Sequence, residues 1–320
     1  MTQSNEHLYS SGITDARTLG WPKTILLGLQ HTFAMFGATV LVPLLTGLSI
    51  STTLMMAGLG TLLFHLLTRG KVPAFLGSSF AFLGGYAAVA PLQNGQPNTE
   101  MLPYACGGVI VAGFVYVILA TLIKLFTIEK VMEFFPPVVT GPIIISIGLI
   151  LAPSAIKNAQ TNWLLAIVAL ASIIFFNMWG RGMAKIVPII LGVIISYIVA
   201  LGMGQIDFSG IGKASAVAFP PIMMAKFDIS AIITITPIAL ATMMEHIGDI
   251  SAISATTGHN YIKDPGLHRT LLGDGLATML ASIFGGPANT TYGENTGVLA
   301  LTKVYDPLVI RIAACFAIIL

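Results

Sequence analysis

Long apolar stretches alternate with short polar ones along almost the whole chain. Those long enough to be membrane spans cover residues 24–46, 51–68, 73–91, 103–125, 131–152, 162–179, 186–204, 229–248, 268–285, 289–303 and 305–320. Most approach the ~20 residues that cross ~30 Å of hydrocarbon as a helix. Two are irregular: the third contains Pro73, Gly77, Gly84 and Gly85, and the tenth contains Gly293 and Gly297. Both are predicted to be interrupted. Residues 1–20 are polar, lack the apolar core of a cleavable signal peptide and read as a cytoplasmic tail.

The two irregular runs share a pattern. Pro73-Ala74-Phe75-Leu76-Gly77-Ser78-Ser79-Phe80 resembles Pro287-Ala288-Asn289-Thr290-Thr291-Tyr292-Gly293: Pro-Ala, then two hydroxyl residues and an aromatic. They stand seven spans apart, and an odd offset inverts the topology. Paired interrupted segments in an inverted repeat point to a transporter binding site. A repeat of seven implies fourteen spans. About eleven fall within this sequence, so the last three are expected to be absent from it.

Composition supports the span reading. Hydrophobic residues make up 55% and charged residues 9% of the chain, with a mean hydropathy of +0.88. A soluble domain carries about 25% charged residues. The expected fold is therefore an all-α polytopic membrane protein embedded in a lipid bilayer. A net charge of +2 without a basic patch gives no reason to expect a nucleic-acid partner. Cys106 and Cys315 lie in apolar runs and read as small core residues rather than a disulfide or metal pair. No cofactor or metal is expected.

Lys and Arg set the orientation. With the N-terminus inside, the inner side collects Arg17, Lys23, Arg69, Lys71, Lys124, Lys130, Arg181, Lys185, Lys263, Arg269 and Lys303. The outer side receives Lys157, Lys213 and Lys226, and Arg311 falls inside the last run. This asymmetry follows the positive-inside rule.

A few carboxylates stand at membrane depth, where a charge costs roughly 2.5–3.5 kcal/mol on insertion scales and usually marks an ion or substrate pathway. Glu245 closes the apolar run Ile229–Met244, and Asp249 follows at i+4 on the same helix face. Two carboxylates that close in low dielectric resist being ionised together, so the pair can hold one proton. The alternative for Asp249 is that it has reached the interface and is solvated. Glu294 follows Gly293, a residue that lets the backbone open toward a ligand. A carboxylate there can accept N–H bonds from a planar ring, with Tyr292 and Phe80 offering ring faces. Its alternative is a structural bond to its own broken backbone. Asp274, about one turn into the ninth span, either bonds across to the Glu245 helix or sits as a favourable charge at a helix start. His31, at the beginning of the first span, either joins proton handling or is a satisfied core histidine. His65, His259 and His268 read as interface residues. Asn289-Thr290-Thr291 fits a glycosylation sequon but lies at membrane depth.

Glu294-Asn295-Thr296-Gly297 followed by Thr302-Lys303 resembles the signature of the nucleobase–ascorbate transporter (xanthine/uracil permease) family, Gln/Glu-Asn-x-Gly-x4-Thr-Arg/Lys. Gln30-His31, Gly77-Ser78-Ser79-Phe80-Ala81-Phe82, Glu245-His246 and Lys263-Asp264-Pro265-Gly266-Leu267-His268-Arg269 match it too, from about Trp21 to the last residue. Thr290-Thr291-Tyr292-Gly293-Glu294-Asn295 is most similar to the bacterial uracil branch. The resemblance implies two inverted repeats of seven spans, with short strands in spans 3 and 10. Residues 21–126 and 229–320 would form the core domain, residues 127–204 the gate domain, and 205–228 an extracellular loop. Glu245 and Glu294 would bind the ring, the Phe80 and Gly293 backbones would donate to its carbonyls, and Ala38 and Tyr292 would line the pocket. The implied activity is proton-coupled import of uracil or a related nucleobase across the bacterial cytoplasmic membrane, by a homodimer. Asp249, Glu245, Asp274 and His31 are the candidates for proton coupling. One position departs: uracil permeases carry histidine where this chain has Asp249. Glu-x3-Asp with a later Asp resembles the xanthine and urate branch, which has Gln at position 294. Purine substrates and sodium coupling stay open.

Other classes fit less well. Intramembrane aspartyl proteases need Gly-x-Gly-Asp, whereas Asp274 sits in Leu272-Gly273-Asp274-Gly275, and the zinc pattern His-Glu-x-x-His is absent. A channel has no need of buried protonatable pairs.

Overall fold

The computed structural model describes residues 12–93, 95–126, 140–181, 184, 188–206, 208 and 218–320. In chain order its helices are α1 (Trp21–Thr46), α2 (Ile50–Leu67), α3 (Leu83–Val89), α4 (Leu102–Leu125), α5 (Thr140–Ala159) and α6 (Trp163–Trp179). They continue as α7 (Pro188–Gly202), α8 (Ile229–Ile235), α9 (Ile238–Thr257), α10 (Leu267–Ile283), α11 (Gly293–Thr302) and α12 (Pro307–Ile319). Two three-residue strands, β1 (Leu76–Ser78) and β2 (Asn289–Thr291), complete the set. The chain divides into two compact units, Met1–Ile147 with Pro221–Leu320, and Gly148–Pro220.

Among the described residues, four helical stretches are long and apolar enough to cross a membrane: Trp21–Thr46, Ile50–Leu67, Leu102–Leu125 and Ile229–Thr257. The third and tenth runs are interrupted as the glycine pattern predicts. Each is a short strand followed by a short helical segment, and the strands pair antiparallel with Leu76 opposite Thr291, Gly77 opposite Thr290 and Ser78 opposite Asn289.

Several boundaries differ from the sequence expectation. The run placed at 229–248 continues to Thr257, where Gly258 at φ 75° closes the helix. It is also divided at Thr236-Pro237, because proline has no N–H for the helix ladder. Asp249 therefore sits within a helix, not at its exit. The first helix begins at Trp21, aided by Pro22 in its first turn. That places His31 nearly three turns in, not at the start. Asp274 is likewise about two turns into α10. Of the expected span 131–152, residues 131–139 lie outside the described residues, and α5 runs on to Ala159.

Small residues allow close packing in the larger unit. α4 meets α10 at Gly113 and Gly275, where a Cβ on either would come within 2.9 Å of the other's carbonyl oxygen. Such small-residue contacts are how helices associate where lipid removes the hydrophobic drive. Phe82, Tyr86, Tyr116 and Met243 fill the core beside this crossing. The N-terminal segment is tied to the link between α11 and α12: Ile13 forms a parallel bridge with Val304, and the Ala16 N–H donates to Asp306 Oδ2 at 2.8 Å. At another edge Lys71 reaches both carboxylate oxygens of Asp264 at 2.6 Å, while Arg269 donates to the Leu67 carbonyl at 3.1 Å.

In the smaller unit α6 and α7 pack together through Gly192, which faces Ala169 and Ile173. Asn162 caps α6 by accepting from the Leu165 N–H at 3.1 Å and donates to Gln205 at 2.7 Å. No side chain of α6 is buried, which suits a helix whose apolar surface meets lipid.

Candidate transport site

The strand pair interrupts the third and tenth apolar runs and supplies the scaffold of the site. Its ladder is extended at both ends, by the Ser79 N–H to the Ala288 carbonyl at 2.8 Å and the Tyr292 N–H to the Phe75 carbonyl at 3.0 Å. Irregular backbone is tolerated at membrane depth only where protein or a cavity surrounds it. Here both strands are buried along their length.

A cavity of about 290 Å³ opens beside β2, lined by Phe80, Glu245, Asp249, Thr290, Thr291, Tyr292, Gly293 and Glu294. That is at the small end of the ~300–1,000 Å³ typical of ligand clefts, a size suited to a single small ring system. α9 contributes two carboxylates one turn apart, and α11 contributes the third from its first turn. Tyr292 provides no side-chain cap for α11, and Ser79 provides none for the turn at Phe80–Phe82. Helix starts of this kind present N–H groups to an acceptor.

The lining carboxylates are held differently. Glu245 Oε2 is buried and has no hydrogen-bond partner. Asp249 Oδ2 accepts from the Thr291 hydroxyl at 2.8 Å. Glu294 is solvent-exposed within the cavity. A buried carboxylate oxygen without a donor is costly, and a ligand N–H is the group that would satisfy it. Thr290 Oγ1 is a further buried, unpartnered oxygen in the lining.

Tyr292 is fixed from behind. Its hydroxyl donates to the Ser78 carbonyl at 2.9 Å and lies 3.2 Å from both the Thr39 and Ser78 hydroxyls. Ser78 in turn donates to the Thr39 carbonyl at 2.9 Å. Gly77 makes room for the Tyr292 ring, since a Cβ there would fall 2.5 Å from two ring atoms. Ala38 is buried and packs with Tyr292 and Met35 behind the strands. It is not among the residues lining the cavity.

Asp274 and His31 lie away from the lining. Asp274 Oδ2 is 3.2 Å from His246 Nδ1, both side chains wholly buried. Of its two sequence readings, the structure shows a contact across to the Glu245 helix. His31 Nδ1 and the His31 carbonyl both accept from the Asn295 amide, at 3.1 and 3.0 Å. This joins α1 to the half-helix α11. His65 is buried in the last turn of α2, with Nε2 2.9 Å from the Ala74 carbonyl. His259 is about half exposed, 3.8 Å from Asp264. Asn289 is buried and its amide donates to the Met56 carbonyl at 3.2 Å.

Sequence reasoning did not single out Thr291 or Thr290 as lining groups, nor His246 as the partner of Asp274. The duplicated hydroxyl pair after Pro-Ala was the available signal for the threonines. Nothing in the local pattern distinguishes His246 from any polar residue near a helix end.

Residues 22–320 match the family model Xan_ur_permease, described as Permease family. Among curated proteins, the chain is 44% identical over 305 residues to a probable uracil permease of Haemophilus influenzae, covering 92% of this chain and 72% of that one. It is 41% identical over 321 residues to a uracil permease of Bacillus caldolyticus, covering 96% and 72%. Among solved structures, the transmembrane domain of the cyanobacterial bicarbonate transporter BicA superposes with a TM-score of 0.67 at 16% identity, covering 96% of this chain and 83% of that one. The last likeness concerns the fold alone.

Proposed function

The chain belongs to the xanthine/uracil permease family, and from that membership we propose that it is a secondary transporter importing uracil by proton symport. The observation that carries this reading is the convergence of Glu245 and Glu294 on one cavity, with Glu245 Oε2 buried and without a donor. Uracil offers ring N–H donors and carbonyl acceptors. The two carboxylates would accept the N–H groups, and the backbone N–H groups at Phe80 and Gly293 would donate to the carbonyls. Tyr292 would present its ring face. Ala38 would set the wall behind it.

Proton coupling is assigned to Glu245 and Asp249, which face the same cavity one turn apart. A charged nucleobase contact and a second nearby carboxylate disfavour one another in low dielectric. An entering proton removes that conflict and leaves with the ligand on the other side. Asp274 would belong to the same charge balance through His246. His31, engaged by Asn295, would act in holding α11 rather than in carrying a proton.

The larger architecture of the proposal is an inverted repeat of seven spans, in which β1 and β2 are the equivalent broken elements. The core domain takes residues 21–126 and 229–320, and the gate takes 127–204. The smaller compact unit, Gly148–Pro220, overlaps the gate over residues 148–204, whereas Thr140–Ile147 falls in the larger unit. Alternating access would move one against the other in the bacterial cytoplasmic membrane, with the N-terminus cytoplasmic and the protein as a homodimer.

Asp249 and Asp274 favour a second reading, a xanthine or urate symporter of the same family. Labelled uracil uptake into proteoliposomes, competed with xanthine, thymine and cytosine, separates the two. Uracil alone should compete strongly. Saturable uptake of labelled xanthine with none of labelled uracil would replace the substrate, and uptake driven by sodium at constant pH would replace the coupling ion.

A further inference from the structure

Thr291 has a contact that the proposed ligand interactions leave unused. Its hydroxyl donates to Asp249 Oδ2 at 2.8 Å. The Thr291 hydroxyl oxygen is also 3.5 Å from His246 Nδ1, which is 3.2 Å from Asp274 Oδ2. A polar line thus runs from the cavity wall into a fully buried pair. Thr291 is also the last residue of β2, directly before Tyr292, Gly293 and Glu294. It is the point where the strand leading into the ligand-facing segment touches the helix bearing Glu245 and Asp249.

The titratable groups around Asp249 come from several elements. Glu245 and His246 lie on α9 itself, Asp274 faces it from α10 and Glu294 from α11. Tyr116 of α4 adjoins the same cluster of carboxylates. The direct hydrogen bond to Asp249 comes from Thr291. A hydrogen bond to a charged acceptor is roughly twice as strong as one to a neutral acceptor. The hold of the strand on the helix therefore depends on whether Asp249 carries its proton.

We propose that Thr291 is a positioning residue that couples the ligand-bearing strand to the proton-bearing helix. Its hydroxyl clasps β2 to ionised Asp249 and slackens when that carboxylate takes up a proton. The inference rests on the reading of Asp249 as a proton-carrying group.

Thr291→Val keeps the shape and removes the donor, while Thr291→Ser retains it. In proteoliposomes, the midpoint of the pH profile of uracil uptake should move to the alkaline side in Thr291→Val. The expected displacement is about one pH unit, since a hydrogen bond to the charged form favours that form and its removal lets the group take up a proton at higher pH. Thr291→Ser, which keeps the donor, should show the original profile. Coincident profiles for wild type and Thr291→Val would overturn the proposal.

A second measurement needs no substrate. The difference in Tm between wild type and Thr291→Val, followed against pH in the reconstituted full chain, should be open at neutral pH and close in acid. It should vanish in an Asp249→Asn background. A pH-independent difference, or one that persists beside Asp249→Asn, makes Thr291 merely structural and ends the proposal. Because this arm uses no ligand, a wild-type protein that transports no uracil would sink the transport reading alone.

Discussion

Glu245 and Glu294 line one cavity, yet their surroundings predict different consequences of losing charge. Glu245 has a buried, unpartnered oxygen; in Glu245→Gln the replacing amide presents a donor where the ring needs an acceptor. Uracil affinity should fall about 10–100-fold, the equivalent of one charged hydrogen bond, as read by equilibrium binding. Near-normal affinity would remove Glu245 as the ring acceptor. Glu294 is exposed within the cavity, so water can replace a missing contact. Glu294→Gln, able both to donate and to accept, should weaken uracil binding only several-fold and admit measurable xanthine. If neither affinity changes, Glu294 is structural. Asp249→Asn should leave uracil bound but flatten the dependence of accumulation on an imposed pH gradient. Equal dependence in mutant and wild type would exclude Asp249 from coupling.

The element that makes the site is the β1–β2 pair, and its tolerance is uneven. Gly77→Ala would drive a methyl to 2.5 Å from the Tyr292 ring, which its hydroxyl contacts hold in place. Overpacking of this sort costs about 1–3 kcal/mol, so both Tm and uracil affinity should drop. Gly84→Ala, seven residues on, has nothing within 4 Å of the added carbon and should leave both unchanged; matching losses in the two variants would refute the steric argument. The interruption of both runs was legible because the Pro-Ala-led segments repeat in sequence; the strands themselves were implied by the family resemblance. The length of α9 was not. Hydropathy treats the polar stretch from Glu245 to Asp249 as the end of a membrane run, whereas Thr291 and Asp274 supply partners that keep those groups inside. The Ala74 carbonyl as the partner of His65 was equally invisible in the sequence. Partners brought together by the tertiary fold leave no trace in local periodicity.

At the scale of the whole molecule, the Lys71–Asp264 clasp joins the segment before β1 to the turn before α10. Asp264 is exposed, and its carboxyl is held below the ordinary carboxylate range, first by the hydrogen bond from Lys71 and then by the charges of Lys71, His259 and Arg69. A depressed carboxylate contributes above its unfolded value of about 3.9 and loses that contribution as pH falls through the folded one. Between about pH 5 and 8 the clasp is constant, so Asp264→Asn should leave the pH profile of uptake unchanged; a shifted profile would implicate this turn in coupling. The pairing of β1 with β2 has a consequence in time as well as space. Tyr292 is 214 residues beyond Ser78, and synthesis proceeds at roughly 5–20 residues per second. For some 10–40 s the first strand exists in the nascent chain before its partner has been made. During that interval its peptide groups need temporary company, from water in the translocation apparatus or from a chaperone, and the first half of the site is finished only when β2 has left the ribosome.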